Sequence, residues 1–150
     1  MKVFLGGTCN ESTWRKKTIP MLKIDYFNPV VDDWTEEFME RELEERRNCD
    51  FCLYTITPKM TGVYSIAEVV DDSNKRPEKT LLVLLKEDDG EKFTEGQWRS
   101  LGAVARMIVL NGGQVFDNLK EAANNINKGK RVGTLKKQAA LTAAKAAKEV

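Results

Sequence analysis

Asp50-Phe51-Cys52-Leu53-Tyr54-Thr55-Ile56-Thr57-Pro58-Lys59-Met60-Thr61-Gly62-Val63-Tyr64-Ser65-Ile66-Ala67-Glu68 is the stretch on which the fold turns. Its first part is apolar and rich in aromatic and β-favouring residues, the composition of a buried strand. Pro58 stops that strand, because proline donates no ladder hydrogen bond. Gly62 marks a turn, and Val63, Ile66, Ala67 and Val70 then recur at i, i+3, i+4 and i+7, the apolar stripe of a helix. The stretch therefore predicts strand, loop and helix. Open parallel sheets bind ligands just beyond the carboxyl ends of their strands. Glu68 falls less than two turns into the helix, off its apolar stripe, and is a candidate nucleophile at that strand end. Tyr64 and Ser65, four and three residues earlier, are its helix-surface neighbours.

Outward from this stretch the same alternation repeats. Val3-Phe4-Leu5 predicts a first strand, followed at once by Gly6-Gly7-Thr8, where free backbone N–H groups can meet phosphate or sugar oxygens. Asn10 or Ser12 is placed to cap a helix running to about Leu22, with Trp14 and Arg15 in its first turn. Arg15 can bind an anionic group or lie on a solvated surface. Lys23–Phe27 predicts a second strand, ending at Asn28-Pro29, where Asn28 is either a sugar contact or a turn residue. Asp32 or Asp33 is placed to cap a second helix, Trp34–Arg47. There Trp34, Phe38, Met39 and Leu43 form a broad apolar arc, with Glu42 near its middle. A carboxylate in that position needs a partner, such as Arg46 one turn on, or a polar cavity.

Beyond the central stretch, Thr80–Leu85 is a continuous apolar run, as expected of a strand covered on both faces. Lys86–Lys92 predicts a charged loop, and Thr94–Leu110 a helix whose stripe includes Trp98, Leu101, Ala105, Ile108 and Val109. Asn111-Gly112-Gly113 ends that helix. Gln114–Phe116 predicts a last strand, and Asp117 a cap for a final core helix reaching about Asn127. Five strands separated by helices imply a flavodoxin-like α/β fold, a parallel sheet of order 2-1-3-4-5 with helices on both faces. The winding reverses between the first and third strands. That brings Gly6-Gly7-Thr8 beside Thr57, Thr61, Gly62, Ser65 and Glu68.

Composition narrows the chemistry. The 150 residues suit one domain, and 41% hydrophobic with 31% charged residues suits a soluble one. No apolar run reaches membrane-span length, and the start of the chain does not resemble a secretory signal, so a cytoplasmic location is expected. The absence of histidine excludes histidine triads and histidine metal sites. Acid–base work then falls to carboxylates, tyrosine, lysine or cysteine. Cys49 and Cys52 have C-x-x-C spacing, but a strand start turns residues three apart to opposite faces, which disfavours a redox or zinc pair. No metal or cofactor is implied. Residues 128–150 carry seven Lys/Arg and one Glu, whereas residues 1–127 carry 17 Lys/Arg and 22 Asp/Glu. This divides the chain into an acidic body, 1–127, and a basic Ala/Lys-rich tail, 128–150. The tail predicts a semi-detached helix from about Thr134, suited to a neighbouring subunit or, with less support, to nucleic acid.

Phe4-Leu5-Gly6-Gly7-Thr8, Trp14-Arg15, Asn28-Pro29, Cys49-Asp50 and Gly62-Val63-Tyr64-Ser65-Ile66-Ala67-Glu68, in this order and spacing, resemble the nucleoside 2-deoxyribosyltransferase-like family over about residues 1–127. The resemblance implies N-glycosidic bond cleavage or transfer on a nucleoside or nucleotide. Glu68 would be the nucleophile, with Glu42 and Tyr64 assisting. Gly6, Gly7, Thr8, Arg15, Asn28, Thr57, Thr61, Gly62 and Ser65 would form the substrate-binding set. It also implies a homo-oligomer with sites completed by a neighbouring subunit. The sequence departs from the family at Gly62, where an aspartate is common, and Thr61, Tyr64 or Glu42 would then protonate the leaving base. A non-catalytic nucleotide-binding protein is the alternative that the same pocket allows.

Overall fold

The computed structural model describes residues 1–9 and 11–129. In chain order the elements are β1 (Lys2–Gly7), α1 (Trp14–Thr18), β2 (Asp25–Phe27), α2 (Glu36–Asn48), β3 (Phe51–Ile56), α3 (Tyr64–Lys75), β4 (Thr80–Leu84), β5 (Glu87–Asp88), β6 (Glu91–Lys92), α4 (Glu95–Leu110), β7 (Gln114–Phe116) and α5 (Leu119–Asn127). Five strands form one parallel sheet of order β2-β1-β3-β4-β7. This is the expected flavodoxin-like arrangement, with the small antiparallel β5–β6 hairpin added.

The strand period of two divides the core into two layers. Phe4, Cys52, Tyr54, Ile56 and Leu82 face one side, where Phe38 of α2, Ile66 and Val69 of α3 and Leu101 and Ile108 of α4 cover them. Val3, Leu5, Phe51, Leu53, Leu81 and Val83 face the other, under Trp14 of α1 and Ala122 and Ile126 of α5. The three central strands are thus buried on both faces, which is why their sequences are continuous apolar runs.

Several element boundaries differ from the sequence expectation, each for a local reason. The first helix stops at Thr18 and tightens into a 3-10 turn over Ile19–Met21, because Pro20 cannot donate an α-helical bond. Thr13 precedes it without a side-chain cap bond; Asn10 lies outside the described residues. α2 is capped by Thr35, whose Oγ1 accepts from Phe38 N at 3.1 Å, not by Asp32 or Asp33. Trp34 is therefore outside the helix. The arc assigned to the core is largely exposed: Trp34, Met39 and Leu43 face outward, and Phe38 alone of the four packs inward. α5 is capped by Asn118, whose side chain accepts from Glu121 N, and not by Asp117. Asp89-Gly90, with φ of 47° and 85°, turns the charged 86–92 segment into a hairpin. The tail expected to form a helix from about Thr134, and its contacts with a subunit or nucleic acid, lie outside the described residues. Among the described residues no helix is long and apolar enough to cross a membrane.

Cys49 and Cys52 also sit differently from expectation. Cys49 follows the last residue of α2 rather than lying in β3, so both thiols join the same core layer. Both are free. Burial pushes the Cys49 thiol up to about 12 and raises that of Cys52 as well, which keeps both in the unreactive protonated form.

At the end of β1 the backbone of Gly7 runs against β3. Gly7 adopts φ +119°, and a Cβ there would lie 2.1 Å from the Thr55 carbonyl oxygen. Only glycine fits both the conformation and the contact. Gly62, in contrast, has nothing within 4 Å of the corresponding position. Gly7→Ala is expected to lower unfolding free energy by about 3 kcal/mol or more, and Gly62→Ala to change it by less than about 0.5 kcal/mol. Paired urea titrations check the contrast; equal stabilities for the two variants would refute this reading of the β1–β3 contact.

Candidate functional site

The site lies at the carboxyl ends of β1 and β3, where the winding of the sheet reverses. Gly6 and Gly7, expected to follow the first strand, are instead its last residues, paired with Tyr54 and Thr55 of β3, and Thr8 comes next. Thr8 N donates to Thr55 O at 2.9 Å, and Thr57 N donates to Thr8 Oγ1 at 2.9 Å. Trp14 Nε1 donates to Thr8 O at 2.8 Å. Arg15 donates from Nε and Nη2 to Leu5 O, at 3.1 and 2.9 Å, and from Nη1 to Thr8 O at 2.7 Å. Its guanidinium also stacks over the Trp14 ring at 4.4 Å. Arg15 is therefore neither a solvated surface residue nor an uncommitted anion binder. It is 6% exposed and clamps the end of β1 through backbone carbonyls. Burial lowers its pKa from the ordinary arginine value.

Two adjoining hollows open at this strand end. The larger, about 460 Å³, is lined by Gly6, Gly7, Cys9, Glu11 and Arg15 on one side and Pro29, Val30, Val31 and Trp34 on another, with Phe4, Glu42, Ser65 and Glu68 between. The smaller, about 220 Å³, adds Thr8, Met60, Thr61, Gly62 and Tyr64, and shares Gly7, Cys9, Glu42, Ser65 and Glu68 with the first. Glu68 and Glu42 thus border both. A third hollow of about 660 Å³ lies alongside, between Lys59 and the β5–β6 hairpin. The hairpin is latched there by Ser12 Oγ donating to Asp88 at 2.6 Å and by Lys59 pairing with Asp89 at 3.2 Å.

Glu68 is 8% exposed although it belongs to a helix whose N-terminal residues are open to solvent. Beneath it Arg46 of α2 approaches at 3.6 Å. The same guanidinium binds Asp72 at 3.1 Å through Nε and Asp71 at 2.8 Å. Asp72 is wholly buried, accepts from the Tyr54 hydroxyl, and pairs with Arg76 as well. Tyr54, Asp72, Arg46 and Glu68 make a continuous polar column through an otherwise apolar layer. Burial pushes the Glu68 carboxyl up to about 7; Arg46 opposes the rise, and Glu42 and Asp72 add to it. Glu42 is half-buried, and burial raises its carboxyl too, against the pull of Arg46 and Arg15. Arg46 pairs with Glu68, Asp71 and Asp72, so the simple one-turn pairing with Glu42 is not what occupies it.

Of the sequence-predicted residues, Gly6, Gly7, Thr8, Arg15, Glu42, Thr61, Gly62, Tyr64, Ser65 and Glu68 line one or both hollows. Thr57 and Asn28 do not. Thr57 is fully buried as a bracket for Thr8, and Asn28 Oδ1 accepts from Val30 N at 3.1 Å as a turn residue. Sequence reasoning missed Trp34 as a wall residue and Asp72 and Arg46 as the support of Glu68. One signal was available: a tyrosine in the centre of a doubly covered strand needs a buried acceptor for its hydroxyl. Asp72 lies one turn beyond Glu68 on α3. Among the described residues no group of three or more His, Cys, Asp or Glu side chains is placed to hold a metal ion.

A family model described as nucleoside 2-deoxyribosyltransferase-like matches residues 1–88, from β1 through the first strand of the hairpin. The chain belongs to the nucleoside 2-deoxyribosyltransferase-like family. The matched span contains every residue that lines the two Glu68 hollows, while α4, β7 and α5 lie beyond it. No curated protein matches the chain.

Two stability measurements probe this member of the family independently of activity. Glu68 keeps its proton in the folded state up to about pH 7, against an ordinary 4.5. The stability this contributes is fully present below pH 4.5 and is lost as pH rises through 7. Glu68→Gln is therefore expected to raise stability at pH 8 by about 1–3 kcal/mol, with a smaller effect at pH 5. Asp72→Ala strands Arg46 and Tyr54 and is expected to cost about 3–5 kcal/mol. Thermal melts at both pH values and urea titration report these effects; a lower melting temperature of Glu68→Gln at pH 8 would contradict the strained-carboxylate account.

Proposed function

We propose that the protein cleaves the N-glycosidic bond of 2′-deoxynucleosides through Glu68 and passes the deoxyribosyl group to a second base or to water. The observation that carries this reading is the position of Glu68: a nearly buried carboxylate bordering two hollows at the reversal point of the sheet, with its charge offset by Arg46. Family membership supplies the reaction class.

In the first step a Glu68 carboxylate oxygen forms a bond to the anomeric carbon while the bond from that carbon to the base nitrogen breaks. The bonding pair leaves with the base, which takes a proton from Glu42. The product is a glycosyl ester, as in retaining glycosidases. Two neighbouring carboxylates suit an oxocarbenium-like transition state, whose positive charge they stabilise. In the second step the nitrogen of an incoming base, or water, attacks the anomeric carbon and displaces Glu68. Glu42 takes up the proton that is released. Burial raises the Glu42 carboxyl, which favours its holding the proton it gives to the base, and Glu68, pushed up to about 7, is ionised for attack above neutrality. Glu42 fills the place left by Gly62, where the family commonly has an acid. Tyr64 and Ser65 border the smaller hollow on the turn of α3 before Glu68 and would contact the sugar, with Thr8 and Thr61.

The substrate on this reading is a nucleoside rather than a nucleotide. Among the described residues the two Glu68 hollows are lined by Glu11, Glu42 and Glu68, and the cation that lines them, Arg15, is committed to backbone carbonyls. A 5′-phosphate would face more carboxylates than cations there. A homo-oligomer is part of the proposal, supported by the exposed Met39 and Leu43 on α2 and Val63 and Tyr64 at the start of α3.

Purified protein incubated with a 2′-deoxynucleoside and a second free base should yield the exchanged deoxynucleoside. Glu68→Ala should reduce that yield at least a thousandfold, and Glu42→Gln substantially. The rate should rise with pH through about 7, as Glu68 loses its proton. Undiminished exchange by Glu68→Ala would remove it as the nucleophile; saturable nucleoside binding with no product would favour a binding protein. The 5′-monophosphate of the same deoxynucleoside should react at least about tenfold less efficiently, and a preference for the monophosphate would overturn the charge argument.

A further inference from the structure

The ion pairs of α2 are made by its inner side, where Glu45 meets Lys2 and Arg46 meets three acids of α3. Its outer face is different. Glu36, Glu37, Glu40 and Glu44 are all exposed, and Glu40 lies within one turn of each of the other three. Like charges at that spacing oppose the helix that carries them. Arg41 is turned over the Phe27 ring at 5.4 Å, and Arg47 stands past the end of the row. On the helical wheel Met39 and Leu43, 40% and 42% exposed, adjoin Glu36 and Glu40. The outer face of α2 is thus an apolar edge beside a negative row, both open to solvent. The described chain ends next to this helix. A Cβ on Gly129 would lie 3.3 Å from Met1 Sδ, and the residue after Met1, Lys2, pairs with Glu45 of α2 at 2.8 Å. Residues 130–150 start from there. They carry Lys130, Arg131, Lys136, Lys137, Lys145 and Lys148 against a single acid, Glu149, with Leu135, Leu141 and alanines between. The 13 residues of α2 extend about 20 Å, and the remaining segment reaches about 30 Å even at the short rise of a helix.

We infer that residues 130–150 dock on the outer face of α2 in their own chain, with their cations along the Glu36–Glu44 row and Leu135 and Leu141 against Met39 and Leu43. Sign, length and starting point all match. One exposed ion pair contributes little, but several along one face act together, and the tether at Gly129 holds the segment at high effective concentration. The tether also favours this chain over a second copy, because the segment begins at the carboxyl end of the helix it would cover. Docking offsets the repulsion within the acidic row and keeps six cations from other polyanions, nucleic acid included. It assigns Met39 and Leu43 to the tail and leaves Val63 and Tyr64 for a contact between copies. The inference does not rest on the nucleoside chemistry.

The test uses the full chain, as an equal mixture of unlabelled and nitrogen-15-labelled protein. A carbodiimide joins lysines to carboxylates in direct contact, and mass spectrometry maps the joined peptides. Tail lysines should be joined to Glu36, Glu40 or Glu44, each joined pair carrying one isotope throughout. The yield should fall at least about fivefold between about 20 mM and about 500 mM salt. The variant Glu36→Gln, Glu40→Gln, Glu44→Gln should lose most protection of the tail from trypsin at low salt, with a free peptide of residues 130–150 as the control for the protease. Its far-ultraviolet circular dichroism should be unchanged, since the three residues are exposed. Exchanging the charges, with Glu36→Lys, Glu40→Lys and Glu44→Lys joined to Lys136→Glu, Lys137→Glu and Lys145→Glu, should restore protection. Joined peptides of mixed isotope would place the tail on a second copy and overturn the inference. So would the absence of any tail–α2 pair, or tail cleavage equal to that of the free peptide at low salt. Activity on nucleosides enters none of these readouts, so the docking and the nucleophile readings stand or fall separately.

Discussion

Arg46 reaches from α2 across the core layer to three carboxylates of α3, and the candidate site depends on that reach. The guanidinium stands 3.6 Å from Glu68 and is itself fixed by Asp72 at 3.1 Å and Asp71 at 2.8 Å. A carboxylate as buried as Glu68, left alone, would simply hold its proton throughout the neutral range. An exposed one would ionise near its ordinary value and be hydrated, hence a poorer nucleophile. The column of Tyr54, Asp72 and Arg46 places Glu68 between these limits. Burial raises its carboxyl and the cation holds the rise to about 7.

The column also constrains the fold. Asp72 takes bonds from β3, from α2 and from Arg76 just past its own helix, so the relative positions of these elements are set by polar geometry as well as by apolar contact. On the other side of the sheet Arg15 has an analogous task. It binds the carbonyls of Leu5 and Thr8 and so fixes the glycine end of β1. Two buried arginines thus support the two halves of one cleft, one from each layer.

Much of this was legible in the order of residues. The apolar runs at Val3–Leu5, Phe51–Ile56 and Thr80–Leu84 and the stripes between them require a doubly covered parallel sheet. The glycines that end β1 and the helix after β3 must then meet at the reversal point. What the sequence did not show depends on long-range partners or on ambiguous spacing. Arg46 and Asp72 are 26 residues apart, and each reads locally as an ordinary helical charge. Trp34 stands four residues before Phe38, so helical spacing assigned it to the core; Thr35 begins the helix one residue too late for that. Arg15 reads as a surface cation until the carbonyls of Leu5 and Thr8 are seen beside it.

The central claim, that Glu68 takes the sugar covalently, is tested most directly by trapping. Protein mixed with a 2′-deoxynucleoside, without an acceptor base, is quenched in acid within the first turnover, digested and analysed by mass spectrometry. The account predicts a deoxyribosyl ester on the peptide that carries Glu68, absent from Glu68→Gln. Base release at full rate with that peptide unmodified, or an ester on another carboxylate, would contradict it.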